Sequence, residues 1–328
     1  MTPTLEATGT VAPTATPEPT ATPIPSIKIG YVSSSPAASS VREAVQRAAQ
    51  EFGWETSETQ AASADSLRAL AQSGAIVVVA ENADLLQVAH EFPALYFIGL
   101  QQPGGDNLPP NLFALGPGAR QDQVGFLAGT VAGFATETQI VTVIGDPNST
   151  EGRNYRNGFL HGVRYTCPLC RVLNIDVMDL NNGTEPSTTA VTYAIVGSDV
   201  FFAAAGAAGD EALAAAAEAG AWVIGSGEDV YFTRFSGGSA SGADHVLTSV
   251  YVDPGAAVYQ ALSAFHDGRS LSGAQTFSAA NSAIVLAPYR DPQGALSMLD
   301  QTDIAAALAR LTNGSLETGI DPTTGEER

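Results

Sequence analysis

The chain has 328 residues, of which 45% are hydrophobic and 15% are charged, so it is long enough for about two domains with packed cores. Acidic residues outnumber basic residues by 34 to 14, and the net charge of −20 argues against binding to nucleic acid or to anionic lipid. The longest apolar runs are far shorter than the ~20 residues that span a bilayer, so no segment is expected to cross a membrane.

Residues 1–26 consist mainly of Thr, Pro and Ala, with almost no large apolar side chain. Such a segment buries too little surface to fold, and its prolines favour an extended spacer, so we predict a disordered linker. The segment has no signal-peptide pattern, because a charged start and an apolar stretch are both absent. We expect an exported protein at the cell surface or in the periplasm, whose precursor carried a removed export signal and a lipid anchor.

From residue 27 onward, short β-branched runs alternate with segments of helical spacing. This alternation is typical of βαβ units and a parallel sheet, and near-continuous apolar strands indicate helices on both faces. The predicted strands are 27–32, 76–79, 95–100, 139–144, 172–177, 199–204, 222–225 and 245–251. The predicted helices are 41–52, 65–71, 83–92, 121–134, 154–166, 187–196, 210–219 and 253–265.

These units exceed one sheet of average size, so we predict an α/β chain with two doubly wound parallel-sheet lobes and a three-strand hinge. The hinge crossings are expected near 136–139, 249–252 and 269–276. The predicted boundaries are an N-terminal lobe of 27–136 plus 249–272, a C-terminal lobe of 137–248 plus 273–314, and a C-terminal tail of 315–328.

In open parallel sheets, ligands bind beyond the carboxyl ends of the strands, so the loops that follow the predicted strands are the places for a binding site. The small residues after strand 199–204 would let a ligand approach the backbone, or would simply form a tight turn. We interpret Asp210 and Glu211 as the capping residues that open a helix. The candidate ligand contacts are Ser34, Ser35, Glu81, Asn82, Gln101, Asp146, Asn154, Gly206, Glu228 and Asp229.

The two cysteines, Cys167 and Cys170, form a C-x-x-C pair. A zinc site would need further ligands, and no two histidines have suitable spacing. A thioredoxin-type redox pair would need the first cysteine at a helix start after a strand, whereas this pair follows a helix and precedes a strand. A structural disulfide in an oxidising compartment is therefore the favoured interpretation.

The sequence lacks the motifs of the common catalytic and cofactor sites. The run Gly237–Gly242 misses the last glycine of a nucleophile elbow, so it is interpreted as a loop. The first strand leads into Ser33 rather than into a glycine-rich dinucleotide loop, and Lys28, the only lysine, is not in a Walker loop. We predict no enzyme activity, no cofactor and no metal.

Several segments together resemble the basic membrane protein family of substrate-binding lipoproteins. The strongest is Gln123–Gly129 (QVGFLAG), followed by Tyr155–Val163 (YRNGFLHGV) and Ser198–Gly206 (SDVFFAAAG). Two weaker matches are Leu247–Ser249 with Ala257–Tyr259, and Phe92-Pro93 with Phe97-Ile98. The resemblance implies a type I periplasmic-binding-protein fold, a nucleoside-like ligand held between the lobes, and an ABC permease as partner.

The chain departs from this family in the binding loops. The family's first loop carries Asp and Phe-Asn where this chain has Ser34, Ala37 and Ala38. Of two family aspartates in the later loop, the first is replaced by Gly227 and only Asp229 is kept, while a family lysine corresponds to Val252. Two hypotheses follow: a solute-binding component of an ABC importer, or a surface or assembly protein that kept the fold and lost the ligand site.

Overall fold

The structure is a computed structural model that describes residues 27–33, 39–60, 62–81, 85–102, 104–105, 107–291 and 294–328. The predicted linker, residues 1–26, lies outside the described residues. Within the described part, the chain forms twelve strands and ten α-helices, which alternate along most of the sequence.

The strands are β1 (Lys28–Val32), β2 (Glu55–Thr59), β3 (Val77–Glu81), β4 (Tyr96–Leu100), β5 (Leu112–Ala119), β6 (Ile140–Gly145), β7 (Arg171–Asp176), β8 (Val200–Ala204), β9 (Trp222–Gly225), β10 (Val246–Val252), β11 (Gly273–Phe277) and β12 (Ile284–Leu286). The helices are α1 (Ser39–Phe52), α2 (Ala64–Gln72), α3 (Leu86–Glu91), α4 (Gln121–Ala135), α5 (Thr150–Thr166), α6 (Thr184–Ile195), α7 (Gly206–Glu218), α8 (Val230–Thr233), α9 (Pro254–His266) and α10 (Met298–Thr312).

The strands form two six-stranded sheets. The first has the order β11-β5-β4-β3-β1-β2 and is parallel throughout. The second has the order β12-β10-β9-β8-β6-β7 and is parallel except for β12, which runs antiparallel to β10. The predicted α/β class with two mostly parallel sheets is confirmed.

Successive strand residues point to opposite faces of a sheet, so a strand of consecutive apolar residues is apolar on both faces. Helices therefore cover both faces of each sheet. In the first sheet, Tyr31 and Val79 pack against α1 and α9, while Val78 and Phe97 pack with α2 and α3 on the other face. The second sheet has the same arrangement: one face packs on α4 and α5, and the other on α6 and α7. This double burial explains the continuous apolar strands in the sequence.

Helices α4 and α5 approach each other closely through glycines. Any side chain at Gly125, Gly129, Gly158 or Gly162 would overlap the backbone of the opposite helix. Because α4 shares its core with β6 and β8, it belongs to the layers of the second sheet. The chain therefore leaves the first sheet at Arg120, ahead of the crossing predicted at 136–139.

The other two crossings also differ from the predicted boundaries. All of β10, including its last residues, pairs within the second sheet, so the chain returns to the first sheet only at Asp253. Strand β11 pairs with β5 in the first sheet, whereas the predicted boundaries place its residues in the C-terminal lobe. The apolar pattern of a strand shows that it is buried but not which sheet it joins, and this explains the difference.

Candidate functional site

The carboxyl end of the second sheet carries a pocket of 470 Å³ at the junctions that follow β8 and β9. Two of the predicted contacts, Gly206 and Glu228, lie in its wall. The lining residues are Gly206, Ala207, Asp210, Glu211, Ser226, Gly227, Glu228, Val230, Thr233 and Arg234.

Asp210 and Glu211 belong to this pocket rather than to a helix cap. Helix α7 begins at Gly206, four residues earlier than predicted, so Asp210 lies in its second turn and faces the cavity. No side chain caps the true start of α7, where Ala205 occupies the N-cap position and Gly206 has a φ of 54°. This early start brings two carboxylates to the wall of the pocket.

Burial raises the pKa of Asp210 to about 6, and the neighbouring carboxylate of Glu228 acts in the same direction, while Arg234 opposes it. At neutral pH the ionised carboxylate is therefore held in a costly environment. A ligand that donates a hydrogen bond or a positive charge to Asp210 would relieve part of this cost.

Replacing Asp210 with asparagine is expected to stabilise the protein at pH 7 to 8 and to change little at about pH 4. The folded state holds a proton on Asp210 up to higher pH than the unfolded state does, so stability falls as pH rises from the ordinary Asp value to about 6. After allowance for solvent screening, the gain should be about 2 °C in melting temperature, measured by calorimetry at several pH values.

The exposed Asp303→Asn on α10 is the matched control and should leave the pH profile unchanged. Equal melting curves for Asp210→Asn and the parent chain at pH 8 would contradict the burial argument.

Asp229 stabilises the loop that bounds the pocket. Its carboxylate caps α8 by accepting a hydrogen bond from the Tyr231 amide at 3.2 Å, and it lies 3.4 Å from the Arg290 guanidinium. Arg290 in turn packs over the Tyr231 ring at 4.5 Å from the centroid. Asp229 therefore has protein partners on two sides, and the structure does not place it in the pocket wall.

Asn154 and Asp146 also have local partners. Asn154 is 2% exposed and donates to the carbonyl oxygen of Pro322 at 2.9 Å, so it faces the C-terminal segment and not the pocket. Helix α5 begins at Thr150 after the N-cap Ser149. Asn154 therefore lies inside the helix, whereas the sequence predicts it at the helix start. Asp146 follows β6 and accepts a hydrogen bond from the Asn148 amide at 2.8 Å.

At the carboxyl end of the first sheet, Glu81 ends β3 and is only 6% exposed. It interacts with Tyr31, whose pKa rises to about 12, mainly because the phenol is buried and partly because of this carboxylate. Gln101 follows β4 with a φ of 58° and is exposed, whereas Gln102 is buried and donates to the Leu100 carbonyl oxygen at 3.0 Å. Sequence reasoning missed Tyr31 and Gln102. The predicted contacts Ser34, Ser35 and Asn82 lie outside the described residues.

The sulfur atoms of Cys167 and Cys170 lie at disulfide-bonding distance and join the end of α5 to the turn before β7. Among the described residues, no group of three or more His, Cys, Asp or Glu side chains is placed to hold a metal ion. No helix in the described part of the chain is long and apolar enough to span a bilayer.

Several solved structures share this architecture. A solute-binding protein of an ABC transporter system from Conexibacter woesei DSM 14684 superimposes with a TM-score of 0.62 at 21% identity, over 89% of this chain and 98% of that one. A transcriptional activator of the comK gene from Bacillus halodurans does so with a TM-score of 0.60 at 15% identity, over 88% and 99%. These similarities confirm the type I periplasmic-binding-protein fold.

No curated protein matches the chain significantly. A family model described as "ABC transporter substrate-binding protein PnrA-like" matches residues 24–286. This family supplies the substrate-binding component of ABC transporters and not an enzyme, so the prediction that the chain catalyses no reaction is confirmed. The resemblance found in the sequence is confirmed as well, and the chain belongs to the PnrA-like (Bmp) family of ABC transporter substrate-binding proteins.

Proposed function

We propose that the protein captures a small organic ligand between the carboxyl ends of its two sheets and delivers it to an ABC permease. The observation that carries this proposal is the 470 Å³ pocket at the βα junctions after β8 and β9. Parallel α/β sheets bind their ligands at such junctions, and the volume suits a small organic molecule. The permease and the small ligand follow from the family.

Two lobes that close on the ligand are part of this proposal. Each sheet with its covering helices forms one lobe, and the chain crosses between them at 119–121, 252–254 and 277–284. Closure would bring the buried Glu81 of the first sheet towards the pocket of the second. The predicted contacts Ser34, Ser35, Asn82 and Gln101 remain predictions for the first lobe.

The lining of the pocket supports a ligand with several hydroxyl or amino groups. Asp210, Glu211 and Glu228 are acceptors, and Arg234 is a donor. The Ser226 hydroxyl donates to the Ala203 carbonyl oxygen at 2.7 Å, so it can only accept from a ligand. A nucleoside fits this pattern, because its ribose presents hydroxyl donors to carboxylates. We propose a nucleoside-like ligand and an exported protein whose precursor is lipid-anchored.

A thermal-shift screen of nucleosides, sugars and amino acids tests this function. A ligand present at a hundredfold excess over its Kd should add about 2.7 kcal/mol, which raises the melting temperature by several degrees. Glu228→Gln should weaken binding of the best ligand about tenfold in isothermal titration, since one charged acceptor is lost. The matched control Glu218→Gln lies at the exposed end of α7 and should leave affinity unchanged.

If no compound of the three classes raises the melting temperature, the receptor proposal fails. The alternative, a surface or assembly protein that kept the fold and lost the ligand site, would then be favoured. Binding that Glu228→Gln leaves unchanged would keep the receptor function but move the site away from this pocket.

A further inference from the structure

A second pocket, of 310 Å³, lies where the chain crosses between the two sheets, and we name it the crossing pocket. Its wall combines the first crossing with residues that follow β11, with the end of α10 and with part of the C-terminal residues 316–328. No described residue lines both this pocket and the one after β8 and β9. The lining residues that matter here are Arg120, Gln123, Leu311, Leu316, Glu317 and Arg328.

Gln123 brings an unused hydrogen-bond donor to the wall. The residue is only 6% exposed, and its Oε1 accepts a hydrogen bond from the Ala279 amide at 2.9 Å. Because a backbone N–H only donates, the oxygen of the Gln123 side chain must face Ala279 and the nitrogen must face the other way. That Nε2 donates to no group in the described part of the chain, although polar groups of buried side chains normally have partners.

Arg120 is the N-cap residue of α4 and lies one turn before Gln123, whose amide donates to the Arg120 carbonyl oxygen at 2.9 Å. The Nε and Nη2 atoms of Arg120 each donate to a carboxylate oxygen of the buried Asp122 at 2.7 Å. This two-point contact fixes the plane of the guanidinium group. Its Nη1 has no partner among the described residues, and the side chain is 27% exposed, so it can donate to a further acceptor.

Arg328 supplies a second guanidinium group. Its backbone amide donates to the Gly319 carbonyl oxygen at 2.9 Å, which fixes its place in the wall. Its Nη1 lies 3.5 Å from a carboxylate oxygen of Glu317, whose side chain is 76% exposed, so this ion pair is weak. Glu317 is the one carboxylate among the described lining residues, and it can turn to the solvent when another carboxylate takes its place.

The wall also has an apolar part. Leu311 is 2% exposed on the last turn of α10, and Leu316 packs half-buried on the same hydrophobic core. A cavity of 310 Å³ is at the small end of pockets that hold organic molecules. Free N–H donors together with leucine side chains fit a short carbon chain that ends in a strong acceptor.

We propose that the crossing pocket binds a small organic carboxylate, whose oxygens accept hydrogen bonds from Gln123, Arg120 and Arg328. Its carbon chain packs on Leu311 and Leu316. This site is distinct from the proposed ligand pocket after β8 and β9, and it binds whether or not that pocket is occupied.

A carboxylate in this place would strengthen the contact between two crossings. The Arg120 amide donates to the Phe277 carbonyl oxygen at 2.8 Å, and the Ala279 amide donates to Gln123, so the start of α4 already contacts the chain after β11. A ligand held by Arg120 and Gln123 would stiffen this junction. Because the proposed lobes rotate about these crossings, occupancy would act on their closure, a consequence that rests on the proposed function.

Ligand-observed NMR of the full chain, which detects millimolar affinities, tests the site with butyrate, acetate, butyramide and inorganic phosphate. Butyrate should bind about tenfold more tightly than acetate, because it buries two more methylene groups. Butyramide lacks the charge and phosphate lacks the carbon chain, so both should bind at least about tenfold more weakly than butyrate. Absence of butyrate binding, or equal affinity for butyramide or phosphate, would overturn the proposal.

Gln123→Glu is the most informative variant. A carboxylate oxygen can still accept from the Ala279 amide, so the fold is kept, but the free donor becomes a negatively charged acceptor. Affinity for butyrate should fall at least about tenfold. Arg328→Gln removes only a weak exposed ion pair and should lower the affinity about threefold, which keeps the test decisive if the first variant fails to fold.

The matched control is Gln46→Glu, which adds the same charge at an exposed position of α1 and should leave the affinity for butyrate unchanged. Butyrate binding that is undiminished in either pocket variant, or an equal loss in the control, would contradict the assignment to this pocket. The result does not depend on the thermal-shift screen, because no nucleoside, sugar or amino acid is used.

Discussion

A Gly162→Ala variant is expected to lose about 3 kcal/mol of unfolding free energy, although alanine is normally the better helix former by about 1 kcal/mol. The added methyl group would overlap the Phe126 carbonyl oxygen and lie 2.9 Å from the Thr130 amide nitrogen. Both atoms belong to the backbone of α4, so a rotamer change cannot remove the clash, and the helices must separate. Urea unfolding followed by circular dichroism measures the loss.

Gly133→Ala is the matched control at the end of the same helix pair. There the nearest atom is the hydroxyl of Thr166, a side chain that can rotate, and the Val163 carbonyl oxygen lies farther away, at 3.2 Å. We expect this variant to remain within about 1 kcal/mol of the parent chain. A Gly162→Ala variant as stable as Gly133→Ala would show that the packing of α4 on α5 is not limiting.

An Asp122→Ala variant is expected to lose about 3 kcal/mol, since removing one partner of a buried ion pair leaves the other uncompensated. The Asp122 side chain is 0% exposed and accepts two hydrogen bonds from Arg120 at 2.7 Å, besides the bond from Thr318. Its loss should also increase hydrogen exchange in the C-terminal residues 316–328, because Thr318 loses its partner.

The matched control is Asp65→Ala, which breaks the Arg68–Asp65 pair at 3.0 Å on α2, where Asp65 is 95% exposed. An exposed ion pair contributes about 0.5 kcal/mol to the free energy of unfolding. The difference in stability loss between the two variants therefore measures the effect of burial. The double variant Asp122→Ala with Arg120→Met should recover part of the loss, because the uncompensated charge is then absent. Similar losses for Asp122→Ala and Asp65→Ala would contradict this account.

Most of the fold could be predicted because buried strands and covering helices leave strong local patterns. Four of the twelve strands, β2, β5, β11 and β12, match none of the predicted strands, and for β2 and β5 the physical reason is plain. Strand β2 (ETSET) is an edge strand with no apolar residue, and most of its side chains are exposed. Strand β5 contains Gly116, Pro117 and Gly118, which are poor strand formers, yet it lies between β4 and β11. Hydrogen bonds to the neighbouring strands stabilise β2 and β5, although their own residues do not favour strand structure.

The candidate site was less predictable, because its geometry depends on where helices begin and on distant segments. Asp210 faces a pocket since α7 starts early, without a capping side chain that the sequence would have revealed. Asn154 donates to the carbonyl oxygen of Pro322, which is 168 residues away, and nothing near Asn154 in the sequence marks this contact. The positions of Gly206 and Glu228 after strand ends follow from topology alone, and both residues lie in the wall of this pocket.

The pairing of β11 with β5 has a consequence for the order in which the chain is made. During synthesis, β5 emerges before any part of the second sheet, whereas β11 emerges after all of that sheet except β12. Until then β5 presents an unpaired edge that other chains can join. A nascent or exported chain must therefore be kept from aggregating at this edge, and a truncation before residue 273 would make the exposure permanent.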